Sequence, residues 1–172
     1  MKTIKIIIET VLFTLIAATI TSGIANAQNS KKDKRAAKIA ATKNLIDSQN
    51  FVFVAEFVSP IGRGRRHLTS NYEVKVTKDT VISYLPYFGR AYSVPFNSTD
   101  IGFDFTSTNF DYEVTPRKKG GWEILIKPKD QNDNQQLSFL ISNNGSASLN
   151  ISSVNRSPIS YDGYITERER KR

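Results

Sequence analysis

The sequence predicts a mainly β protein, an antiparallel barrel-like or strongly curled meander with one N-terminal helix, and a two-sheet β-sandwich as the alternative. Three observations lead there. Apolar residues recur at spacings of three and four up to about residue 48, then switch to a period of two from Phe51 onward. The alternating runs are separated by short stretches rich in Gly, Pro, Asn and Asp, as hairpins require. No second helical pattern of crossover length follows, which excludes a parallel α/β fold. A sheet of about eight to ten strands in sequence order has two raw edges, and curling into a barrel removes them.

The first element is expected to leave the protein. Lys2 and Lys5 form a short positive region, Val11 to Ile20 an apolar run extended upstream by Ile6 to Ile8, and Ala25-Asn26-Ala27 a small-x-small cleavage site. Residues 1–27 therefore read as a secretory signal peptide. Glu9 interrupts the apolar stretch, and the uncharged run from Thr10 to Ala25 is shorter than the ~20 residues of a membrane span, which disfavours a retained anchor. The expected product begins near Gln28, is periplasmic or secreted, and keeps no transmembrane anchor. Cysteine is absent, so neither lipid acylation on cysteine nor a disulfide is open to it.

Residues 28–33 are expected to be a disordered tether, 34–166 a single β-rich domain, and 167–172 an exposed charged tail. Residues 34–48 read as the helix: Ala36, Ile39, Thr42 or Lys43, and Ile46 share one side, widened by Ala40 and Leu45, with Asp33 placed to cap the start. So narrow a stripe needs a sheet or barrel mouth to lie against. A basic face would also suit a membrane surface.

Phe51, Phe53, Ala55 and Phe57 then alternate with Val52, Val54, Glu56 and Val58, and Pro60 ends the run. Tyr72, Val74 and Val76 face one way on the next strand, and Lys78-Asp79 turns it into Thr80 to Leu85. Ser93 to Phe96 is expected as a short edge strand broken by Pro95. Strands follow around Ile101 to Thr106, Phe110 to Thr115, and Trp122 to Lys127, with the turn Pro116 to Gly121 between the last two. Leu137 to Ile141 and Ala147 to Ile151 form a hairpin across Asn143-Asn144-Gly145, residues that tolerate positive φ.

Two irregular segments stand out. Leu85-Pro86-Tyr87-Phe88-Gly89-Arg90-Ala91-Tyr92 packs large rings around a proline and a glycine, and Asn155-Arg156-Ser157-Pro158-Ile159-Ser160-Tyr161-Asp162-Gly163 lies near the end. Together they resemble the signature of domain-of-unknown-function family 4251, found mainly in secreted or envelope proteins of Bacteroides-like bacteria. The resemblance runs from about Ala36 to Ile165. It implies the compartment and the domain boundaries, and it brings no activity, substrate or cofactor with it.

The formal charge of +8 suggests nucleic acid until it is located. The excess lies in Lys31 to Lys43 and in Glu167 to Arg172, while from Asn44 to Thr166 basic and acidic residues are equal in number. A phosphate-gripping fold concentrates its basic side chains on the structured surface, so nucleic acid is not an expected partner. One cluster remains, Gly62-Arg63-Gly64-Arg65-Arg66-His67. As a loop, its Arg63, Arg65 and Arg66 are candidates for an anion; the plainer reading is a solvated turn.

Chemistry is sparse. His67 is the sole histidine, and nearby arginines would repel a cation, so neither a metal site nor a histidine-dependent hydrolase is expected. Asp100, Asp104, Asp111 and Glu113 alternate along neighbouring strands and would serve glycoside chemistry only across a pocket; on a solvent face they are the polar half of the alternation. Asp130 to Asn134 has the composition of a calcium loop without its glycine or terminal glutamate. Arg90 and Arg156 sit among packing residues, with either of two roles. They can lock the irregular segments by bonding backbone carbonyls or a carboxylate such as Asp162 or Asp104. Alternatively they can line a cavity mouth with Tyr87, Tyr92 and Tyr161 and hold an anionic or sugar-like ligand.

The expected function is an exported binding or envelope-associated module without catalysis or cofactor. Its partner would be a small anionic, lipid or sugar-like molecule or an envelope protein, with peripheral surface contact open to it. The alternatives are a carboxylate-dependent glycoside or other hydrolase, and a structural or inhibitor-like protein acting through its surface.

Overall fold

A computed structural model describes residues 32–92, 102–131 and 133–168. The expected signal peptide, residues 28–31 of the tether, the edge strand at Ser93 to Phe96, Asp100, Asn132 and the last four residues of the tail lie outside the described residues. The chain divides into two compact units, Met1–Lys38 and Ile39–Arg172. In the first, the described residues are helical and exposed; the architecture below is that of the second.

Helix α1 is formed over residues 32–47. It already includes Asp33, which is itself helical and therefore does not take the capping position expected of it. Of the expected apolar stripe, Thr42 and Ile46 are buried and Ile39 and Leu45 partly so, while Ala36 and Ala40 are exposed. Among the described residues no helix is long and apolar enough to cross a membrane.

The strands are β1 (Phe51–Pro60), β2 (Arg66–Val76), β3 (Val81–Leu85), β4 (Phe103–Ser107), β5 (Phe110–Pro116), β6 (Trp122–Pro128), β7 (Gln136–Ile141), β8 (Ser146–Ser152) and β9 (Ile159–Thr166). They form one sheet in the order β4-β3-β2-β1-β9-β8-β7-β6-β5, antiparallel throughout. The protein is thus mainly β, a nearly closed antiparallel barrel-like sheet with one N-terminal helix. It is an up-and-down meander whose first and last strands pair, as a barrel requires.

The remaining gap lies between β4 and β5. Nine strands in strict alternation leave the two edge strands running the same way, and only Thr108 and Asn109 separate them. Residues 103–116 therefore act as one kinked strand that pairs with β3 before the kink and with β6 after it. Asp130 holds the kink: its carboxylate accepts from the Ser107 hydroxyl, from Thr108 N at 2.9 Å and from Asn109 N at 3.3 Å. Those three donors, led by Ser107, pull its pKa down to about 2. Side chains also meet the outward carbonyls of this edge, Gln131 Nε2 donating to Thr106 O at 3.0 Å and Arg156 Nη1 to Gly102 O at 2.7 Å. An edge answered this way is a poor template for a foreign strand.

Three expectations about strands need correction. Residues 159–166 are not irregular but form β9, the strand that closes the sheet on β1. Its apolar alternation, Ile159, Tyr161 and Ile165, is interrupted at Gly163, which has no side chain to mark the inward position. Phe57 does not continue the inward series of Phe51, Phe53 and Ala55. A bulge between Ala55 and Phe57 leaves Glu56 unpaired, so that Val58 turns inward in its place. Arg66 and His67, expected in a loop, already belong to β2.

Inward side chains fill the barrel. Tyr161, Phe51, Phe53, Phe103 and Phe139 are almost wholly buried, and Phe139 meets Phe51 and Phe53 edge-on at 6.0 and 5.7 Å. One core joins residues from eight of the nine strands with Ile46 of α1, and β5 adds Phe110 and Tyr112, which are partly buried. The Tyr112 hydroxyl is buried without a hydrogen-bond partner, and burial raises its pKa, with the Asp47 carboxylate adding to the rise.

Candidate functional site

The first set of expected residues forms an internal lock. The aromatic segment and the 153–158 loop pair edge to edge through an Ala91–Arg156 bridge, with Ser157 N donating to Arg90 O at 2.9 Å and Tyr92 N to Asn155 O at 2.8 Å. The Tyr87 hydroxyl lies within hydrogen-bonding distance of Arg90 O (2.7 Å), Ser157 O (3.0 Å) and Ser157 Oγ (2.9 Å). Tyr161, at the barrel wall, donates to Pro86 O at 2.8 Å. Burial raises the Tyr161 pKa, with Tyr87 adding to the rise and Arg156 opposing it.

Arg156 stands over the Tyr87 and Phe103 rings, its guanidinium carbon 5.4 and 5.1 Å from their centroids, and faces Asp133 at 3.7 Å. Its carboxylate partner is thus Asp133, where Asp162 or Asp104 was expected. Tyr87, Arg156 and Tyr161 are brought together, but their polar atoms are engaged by the protein itself. Arg90 and Tyr92 are exposed at the loop surface.

The three loop arginines do not converge on one point. Arg63 Nη1 reaches Phe88 O at 3.4 Å, and the Arg66 guanidinium lies 5.9 Å from the Phe88 ring centroid. Arg65 turns to the outer wall of the barrel. Its guanidinium carbon sits 3.8 Å from the centroid of Phe57, and its Nε pairs with Asp162 at 3.2 Å. Asp162 is positioned in turn by the Ser148 hydroxyl at 2.8 Å.

These groups edge a groove of about 450 Å³ over β1, β9, β8 and β7. Cross-strand register explains the assembly: Leu140, Ser148, Asp162, Phe57 and His67 are successive neighbours on β7, β8, β9, β1 and β2. The bulge puts Phe57 in that outward row and adds Glu56 beside it. Ser142 and Ser146 contribute hydroxyls at the far side. Two carboxylates against one guanidinium leave the lining slightly acidic, so Arg65 is not an open anion site.

Of the residues lining this groove, only Arg65 was expected as a binding residue, and Asp162 only as a carboxylate partner for Arg90 or Arg156. Phe57, Glu56 and Ser148 were missed because the bulge that aligns them leaves no mark in the alternation. Gly163 was the available signal: a Cβ there would lie 1.9 Å from Val54 O, so this strand glycine marks the close backbone approach at the bulge.

Catalytic geometry is not evident among the described residues. Among the described residues no group of three or more His, Cys, Asp or Glu is placed to hold a metal. His67 packs edge-on against Phe57 at 5.1 Å. Asp104 and Glu113 are on the exposed side, and Asp111 pairs with exposed Lys129. Asp162 has one oxygen on Ser148 and the other on Arg65.

Residues 33–165 match the family described as Domain of unknown function (DUF4251), and the chain belongs to that family. It is similar to a DUF4251 family protein from Bacteroides eggerthii known from a crystal structure. The TM-score is 0.57 at 16% identity over 77% of this chain and 91% of that one, a likeness of fold. No curated protein matches the chain.

Proposed function

We propose that this DUF4251 protein is an exported, non-catalytic, envelope-associated binding module that takes a small polar ligand of sugar-like chemistry in the outer groove. The observation that carries the reading is the clamp on Arg65, stacked on Phe57 and paired with Asp162, which Ser148 holds. A guanidinium fixed in this way has already lost much of its rotamer freedom, so binding has less ordering to offset. Serine hydroxyls, the Glu56 carboxylate and the free side of the guanidinium offer donors and acceptors along one wall. A hydroxyl-rich neutral ligand uses that mixture, and the slightly acidic lining disfavours an anion. The packed interior favours a site on the outside. Export rests on the charge and hydropathy pattern of residues 1–27.

The test is an amide-resonance titration with glucose, galactose, N-acetylglucosamine and maltose as probes, and inorganic phosphate as the contrast. Shifts with at least one sugar are expected around Phe57, Arg65 and Ser148, and are expected to vanish in Arg65→Ala. Silence with every sugar, or shifts with phosphate alone, would overturn the ligand class. For export, the protein recovered from the periplasm or medium is expected to begin near Gln28; retention in the cytoplasm would remove that part of the reading.

A further inference from the structure

One end of the barrel carries a surface that neither the groove nor the core accounts for. Because neighbours are antiparallel throughout, β1, β3 and β8 all leave the sheet at the same end. The segments of described residues that follow them, 61–65, 86–92 and 153–158, touch one another through Tyr92 N–Asn155 O and Arg63–Phe88 O. Each presents one large apolar side chain to water: Ile61 is 69% exposed, Tyr92 71% and Val154 65%. Around them stand Arg63 and Arg90 on the loops and Arg66 at the start of β2, all exposed and none in an ion pair among the described residues.

The described residues of these three loops contain no carboxylate, and Asp100, later in the connection from β3 to β4, lies outside the described residues. Three of the acidic groups near this end are engaged, Asp133 by Asn155 and Arg156, Asp130 by the strand kink and Asp162 by Arg65, while Asp104 stands exposed near the start of β4, away from the three loop tips in sequence. Apolar tips inside a ring of arginines match the layering of an anionic bilayer, with hydrocarbon below a negatively charged headgroup plane.

We infer that this end of the barrel docks on the surface of an anionic lipid membrane, with Ile61, Tyr92 and Val154 entering the interface and Arg63, Arg66 and Arg90 meeting lipid phosphates. The far end supplies a comparison within the same molecule. Its β5–β6 turn bears Arg117, Lys118 and Lys119, basic side chains without an exposed apolar tip.

The experiment is co-sedimentation of the chain, in the form recovered after export, with phosphatidylcholine vesicles and with vesicles containing about one third phosphatidylglycerol. Binding is expected only to the anionic vesicles. Ile61→Asp/Tyr92→Asp/Val154→Asp is expected to abolish it with the melting temperature preserved. Arg63→Gln/Arg66→Gln/Arg90→Gln is expected to weaken it on the order of 100-fold, from the usual contribution of each basic side chain near such a surface. Arg117→Gln/Lys118→Gln/Lys119→Gln is expected to bind as the parent does. Absence of vesicle binding, equal binding by the loop-tip variant, or an equal loss in the far-end variant would each overturn the inference. So would capture of an acidic protein through this end without any affinity for vesicles.

Discussion

The Tyr87 hydroxyl serves three polar groups in a space closed to water, so its loss strands partners as well as a bond. Tyr87→Phe is expected to destabilise the protein by about 1–3 kcal/mol in urea unfolding. Ser157→Ala should cost a similar amount, and the double variant less than the sum, because both remove the same contact. Additive effects would show that the two residues act separately. At Gly163 opposing terms must be weighed. An unstrained Gly→Ala change gains about 0.4–1 kcal/mol from the unfolded chain. Here, however, the new Cβ would sit 1.9 Å from a carbonyl oxygen. Gly163→Ala is therefore expected to be destabilising by about 1–3 kcal/mol, as for overpacking, and to disturb the groove; a raised melting temperature would refute this. That Arg156 and the two tyrosines belong to packing segments was legible from their neighbours in sequence. That Ser157, an unremarkable serine, would hold Tyr87 was not, because the partners are seventy positions apart.

Among elements, the kinked strand depends on one short side chain. Asp130 is lowered to about 2 by the donors of Ser107, Thr108 and Asn109, against about 3.9 in an unfolded chain. The folded state thus binds its proton less tightly than the unfolded state. Its contribution is present above pH 4 and is lost as pH falls from about 4 towards 2. In an NMR titration the Asp130 carboxyl is expected to move with a midpoint near 2, and the Thr108 and Asn109 amides to move with it. A midpoint near 3.9 would mean that the latch is not formed. Asp130→Asn should remove that transition. The two strands flanking the kink were readable from Phe103, Phe105, Phe110 and Tyr112. Their shared direction was not, since it follows from the parity of the whole sheet.

At the scale of the molecule, β1 and β9 close the barrel across more than a hundred residues of sequence. A chain ending at Pro158 leaves β1 and β8 with bare edges and exposes the core side chains that Tyr161 and Ile165 cover. It is expected to lose cooperative unfolding and to self-associate, as measured by calorimetry and light scattering; a cooperative monomer would show that the sheet does not need its closing strand. For the intact chain, pairing of distant strands predicts folding in the millisecond-to-second range. Phe139→Ala, at the contact of Phe139 with Phe51 and Phe53, should cost about 3–5 kcal/mol.

The sequence by itself determined the class of the fold, the single helix, eight of the nine strands' approximate places and the family resemblance. Each of these is written in local periodicity, turn residues or short motifs, and these act over a few positions. Tertiary structure alone decided the closing strand at 159–166, the outward turn of Phe57 and the pairing of Arg65 with Asp162. It also decided the gathering of Ile61, Tyr92 and Val154 at one end. These depend on register and on which strands become neighbours, and both are set by burying the whole core at once.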